Sequence, residues 1–129
     1  MKELRQIIRI ECEIYKCDIE VIIGGTVEQA NKRVLWRWPN FGDLTLDVVP
    51  EGRTYRPGNS ADVIVWCELN ENFQSILAHE AIHAAAHVLK FRGAKPDVDD
   101  GNEEAFGYLV EWIIREVNKK GRKLIRRKT

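Results

Sequence analysis

His79, Glu80 and His83 stand in the order His-Glu-x-x-His within "ILAHEAIHAAAHVLK", residues 76–90, which also holds the chain's third histidine, His87. On a helix, residues four apart project from one face a turn apart, so the rings of His79 and His83 can converge on one tetrahedral ion. Glu80 then projects beside that ion, where a carboxylate can take a proton from bound water. The spacing is that of a zinc hydrolase, with two ligands and a general base. His83 and His87 repeat the four-residue interval, but Ala84 fills the base position. His87 lies two turns, about 12 Å, from His79 and is expected to support the ligands from behind or line the cleft rather than share the ion. The plain alternative is a buried helix whose histidines are hydrogen-bonded.

These residues need a helix that presents them. On a wheel, Leu77, Ala78, Ala81, Ile82, Ala85, Val88 and Leu89 cover one broad side, with His79, Glu80, His83 and His87 opposite. Between Ile76 and Leu89 no other side chain is polar, so the imidazole side is expected to face a cleft rather than bulk water. The helix is expected over 72–91, ended by Gly93 and Pro96. Asn102 opens a second helix running to Lys119. Upstream, residues 4–15 fit either a strand or a helical stripe. Asp18–Ile23 is a strand that stops at Gly24-Gly25, and Thr26 with Gln29 forms a capping box opening a helix through Leu35. Leu44, Leu46 and Val48 alternate as a strand until Pro50, residues 51–60 are a polar loop, and Val63–Trp66 is the strongest strand signal. The order predicts an α+β domain over 1–129: N-terminal strands and a short helix, then the histidine helix and a glutamate-bearing helix.

The chain has 129 residues, enough for one domain. Twenty basic residues balance twenty acidic ones, so overall charge selects no partner. Residues 119–129 carry seven Lys or Arg and no acid, and are expected to be a flexible, solubilising tail; contact with nucleic acid is the weaker expectation. No run is long and apolar enough for a membrane span, and MKELRQIIRIECE lacks a signal-peptide core. Three cysteines without CxxC spacing fit reduced thiols, so a cytoplasmic location is expected. Asp97-Val-Asp-Asp-Gly lacks the fifth-position ligand of a calcium loop, and Trp36, Trp38 and Phe41 are expected in the core rather than as a binding patch.

A zinc site needs at least one more protein ligand, and Glu103 and Glu104 open the next helix. Helical-wheel position slightly favours Glu103. The stretch Val63–Val117, with "VIVW", "LAHEAIHA", an acidic loop and "NEEAFGYLVEWI", resembles small phage-encoded zincin-like proteins, themselves similar to gluzincin metallopeptidases reduced to a minimal domain. That resemblance implies an edge strand before the HExxH helix and a glutamate on the following helix as third ligand. It favours Glu104, because Glu104-Ala105 matches the family's Glu-Ala step. Thermolysin-like gluzincins carry an aspartate four residues after the ligand glutamate. Here Tyr108 stands there, where a phenol can polarise a substrate carbonyl.

The expectation is therefore a zinc metallopeptidase-like protein binding one zinc through His79, His83 and Glu104, with Glu80 as base and Tyr108 assisting. Its substrate is a peptide or protein, paired along the edge of the Val63–Trp66 strand. If phage-encoded, it works in the bacterial host cell. The alternative is a catalytically silent zinc-binding accessory or interaction protein of the same fold.

Overall fold

The protein alternates short strands and helices in the order β1 (Arg5–Cys12), β2 (Cys17–Gly24), α1 (Val27–Arg37), β3 (Gly52–Tyr55), β4 (Val63–Cys67), α2 (Phe73–Phe91), α3 (Glu103–Lys120) and α4 (Arg122–Lys128). A computed structural model describes residues 5–45, 48, 50–93 and 103–128. Leu46, the acidic stretch 97–101 and Asn102 lie outside the described residues.

The four strands form one sheet in the order β1-β2-β4-β3. β1 and β2 are an antiparallel hairpin in which Cys12 faces Cys17. The Glu13–Lys16 turn between them takes a positive φ at Lys16 (52°). Hairpin pairing decides the ambiguity of this stretch in favour of a strand over Arg5–Cys12, with Ile8, Ile10 and Cys12 buried on one face. β2 pairs with β4 in parallel, and β3 with β4 antiparallel. Parallel strands at a sheet's centre are covered on both sides. Accordingly Ile19, Val21 and Ile23 bury against one helical layer and Ile22 against the other.

One layer is α1. Thr26 Oγ1 accepts from the Gln29 amide and Gln29 Oε1 accepts from the Thr26 amide, so the capping box forms as expected. Arg33 ties α1 to the sheet through two bonds to buried Glu20, of 2.6 and 3.0 Å. Trp38 stacks on Phe41 against this core, whereas Trp36 is 72% exposed beneath the Arg33 guanidinium. The other layer is α2, α3 and α4. The side-chain amides of Gln74 and Asn118 bond to each other in both directions, so the start of α2 lies against the end of α3 and the two helices run antiparallel.

Three expectations are revised. The polar stretch 51–60 contains strand β3, an edge strand. β4 therefore has a neighbour on each side and is not the free edge. Residues 41–45 are irregular rather than a strand, and Val48 is exposed. The basic tail is not loose: residues 122–128 form α4, with Leu124 and Ile125 buried in the core. Gly121 makes that turn possible, since a Cβ there would sit 2.6 Å from Ile23 Cδ1. Among the described residues no helix is long and apolar enough to cross a membrane.

Candidate metal centre

α2 is a 19-residue helix with Asn72 at its N-cap, docked by Phe73, Leu77, Ala81, Ala84, Ala85, Val88 and Leu89. The three buried alanines, Ala81, Ala84 and Ala85, let the helix sit close to the sheet. Its other flank carries the histidines. His79 Nε2 and His83 Nε2 are 3.2 Å apart, with ring centroids at 4.8 Å. Two nitrogens on one tetrahedral zinc, each at about 2.0–2.1 Å, are separated by about 3.3 Å. The pair thus has the spacing such an ion needs, a distance that also suits a hydrogen bond between the two rings. His79 is largely exposed and His83 half-buried, so the histidine side is more open to water than the wheel implies.

Glu80 departs from the wheel most clearly. It does not share the open face but is buried, 6% exposed, beneath β3. Thr54 Oγ1 lies 2.8 Å from Glu80 Oε1, to which it can donate, and 3.2 Å from the Glu80 backbone oxygen. The second carboxylate oxygen, Oε2, lies 4.0 Å from His79 Nε2. One oxygen is held by the strand and the other is turned toward the rings. Cys67, on the neighbouring β4, has its thiol pKa pushed up by burial and then by the nearby Glu80 charge.

β3 approaches α2 closely at Gly52. A Cβ there would lie 2.6 Å from Ile76 Cγ2, 3.0 Å from Glu80 Cγ and 3.1 Å from Glu80 Oε2. Only a residue without a side chain lets the strand lie over the carboxylate. The resulting groove, about 390 Å³, is lined by Glu51, Gly52, Asn72, Ser75, Ile76, His79 and Glu80.

Among the described residues no third His, Cys, Asp or Glu joins the two rings. Glu103 and Glu104 are exposed in the first turn of α3. The Gln74–Asn118 pair explains why. Counting from that contact, His83 lies nine residues along α2 and Glu104 fourteen residues back along α3. At 1.5 Å per residue, Glu104 overshoots His83 by about 7.5 Å along the helix pair.

Tyr108 is placed elsewhere. It is 67% exposed and lines a separate groove of about 720 Å³ between α3 and the β1–β2 turn, with Ile14, Tyr15 and Trp112. His87 is half-buried, with Nε2 2.8 Å from the Ser60 carbonyl, to which that nitrogen donates. This fixes its tautomer and joins α2 to the β3–β4 connection, a structural role in place of the expected cleft lining. Ile82, assigned to the buried side by the wheel, is 46% exposed beside α3. Thr54 and Gly52 are site residues that sequence reasoning missed; neither residue type nor spacing marks them.

No family profile, curated protein or solved structure matches this chain.

Proposed function

We propose that this chain is a zinc-dependent metallopeptidase-like protein acting on peptides or proteins. The observation that carries the reading is the 3.2 Å approach of His79 Nε2 and His83 Nε2, one turn apart, beside a buried glutamate with one oxygen anchored and one directed at them. His79 and His83 would hold the ion through Nε2, and Glu104 would complete the ligand set only with the start of α3 drawn about 7.5 Å toward His83. Zinc bound there supplies Lewis acidity and a water of lowered pKa.

The chain's own groups supply the rest. Thr54 holds Glu80 Oε1, which leaves Oε2 to accept a proton from water and return it to the leaving amine. Among the described residues no strand pairs with the outer edge of β3, so an extended peptide can add there, next to the groove. This moves the substrate edge expected on β4 to its neighbour.

The test begins with metal content. Protein purified without a tag and supplied with zinc should hold close to one ion per chain, and the His79→Ala, His83→Ala double variant should lose it. Glu80→Gln should keep the zinc while lowering kcat on a cleaved library peptide by about 10²–10⁴-fold, the scale of a positioned general base. Full retention of zinc by the double variant refutes the site. A second reading, a catalytically silent zinc-binding phage accessory protein, is favoured by the placement of Tyr108 in a different groove. It predicts the same zinc content with no zinc-dependent cleavage by the wild-type chain.

A further inference from the structure

α4 presents an ordered basic surface. Arg122, Lys123, Arg126 and Arg127 are all exposed on it, and Lys119 and Lys120 extend the surface onto the last turn of α3. No ion pair among the described residues engages any of these six side chains. The backbone beneath is pinned rather than frayed. Leu124 and Ile125 are buried, Ile125 N donates to Gly121 O, Gly121 N donates to Val117 O, and Lys120 Nζ donates to the Arg9 carbonyl of β1. Six cations with no ion-pair partner among the described residues are therefore carried on an ordered backbone, in a chain whose formal net charge is zero. Holding like charges together is unfavourable on its own, and a polyanion removes that cost.

Three kinds of polyanionic partner differ in what else they need. A membrane-surface helix needs an apolar face to insert, but the apolar residues of α4 are spent on the core. A protein interface needs a desolvated apolar or aromatic centre, and the six exposed side chains here are all Lys or Arg. A nucleic-acid backbone needs only positive charge and donors, and repays them by releasing condensed counterions. We infer that α4 and the last turn of α3 form a binding surface for the phosphate backbone of nucleic acid, without sequence preference. The surface is independent of the zinc reading, because none of the six residues lines the histidine groove.

The experiment is fluorescence anisotropy of the full chain with a labelled mixed-sequence DNA duplex of about 20 base pairs, titrated across salt from about 50 to about 200 mM. With each phosphate contact contributing a slope of about −0.9, four to six contacts predict an affinity loss of about 10²–10³-fold over that range. The quadruple variant Arg122→Gln, Lys123→Gln, Arg126→Gln, Arg127→Gln keeps Leu124 and Ile125, so its melting temperature should stay near wild type. Its binding at low salt should fall by more than about 10-fold, and its slope should drop by between about 3 and 4. If that variant melts early, Arg126→Gln, Arg127→Gln alone should lower the slope by about 2. Arg126→Lys, Arg127→Lys should bind like wild type, and a chelator should change nothing. Absence of binding at low salt, a variant that binds as tightly as wild type, or equal competition by polyglutamate or by phosphatidylserine vesicles would overturn the inference.

Discussion

Replacing Gly52 with alanine adds one methyl group at the tightest point between β3 and α2. The added carbon would lie 2.6 Å from Ile76 Cγ2, over an ångström inside contact distance, with Glu80 Cγ and Oε2 at 3.0 and 3.1 Å. Ile76 cannot swing aside easily, because a β-branched side chain in a helix has one strongly preferred χ1. Glu80 can yield only by leaving Thr54 Oγ1. The remaining relief is for β3, paired among the described residues to β4 alone, to lift off the helix. Overpacking of this kind costs about 1–3 kcal/mol. Loss of glycine's freedom in the unfolded chain returns about 0.4–1 kcal/mol, for a net destabilisation of about 1–2 kcal/mol. For a domain of this size that lowers Tm by about 4–8 °C. Gly58→Ala is the control, since a Cβ there meets nothing within 4 Å. Both variants are compared by urea titration and thermal melting without added metal. A Gly52→Ala protein within about 0.5 kcal/mol of Gly58→Ala would mean that β3 does not clamp the carboxylate as described.

Three other outcomes are expected. Glu104→Gln should weaken zinc binding far more than Glu103→Gln in a competitive chelator titration, and the reverse order would give the ligand role to Glu103. Arg33→Ala leaves Glu20 buried without its cation. Because Arg33 is 31% exposed, the cost should fall at or below the low end of the range for a fully buried pair, about 2–3 kcal/mol by urea titration. From neutral pH upward, stability should hold to about pH 8 and fall above it. Burial raises Cys17 and Tyr55 to about 12 and raises Cys67 as well, so the unfolded chain loses these protons first as pH climbs. A Tm that holds constant from about pH 9 to pH 11 would contradict that assignment.

The features legible in the sequence were those encoded by neighbours a turn or less apart. The His79–His83 interval, the Thr26–Gln29 capping box and the unbroken apolar run of β4 each state their own geometry. β3 is different in kind. Gly-Arg-Thr-Tyr has half-buried polar residues and stands among Pro50, Pro57 and Gly58, so it looks like a loop; pairing to β4 makes it a strand, and pairing is not local. The burial of Glu80 follows from that same strand and was invisible for the same reason. α4 was obscured by composition: Leu124 and Ile125, two apolar residues among seven cations, are enough to dock a helix of seven residues. The position of Tyr108 depended on which face α3 turns to the hairpin, which its sequence pattern does not state.

The parallel pairing of β2 with β4 has a consequence for how the chain folds. Ile19 meets Val63 and Ile23 meets Cys67, partners separated by forty-four residues, whereas the β1–β2 hairpin closes over a four-residue turn. Closing the long loop is entropically costly, so it follows the local hairpin. Among the described strands β3 joins the sheet through β4 alone, and the groove over Glu80 exists only once β3 is in place. The histidine groove is therefore expected to assemble late on the folding route, after the pairing of β2 with β4. Contacts made after the rate-limiting step act on the unfolding rate and leave the folding rate almost unchanged. Anything that binds between β3 and α2 should lengthen the lifetime of the native state without hastening its formation.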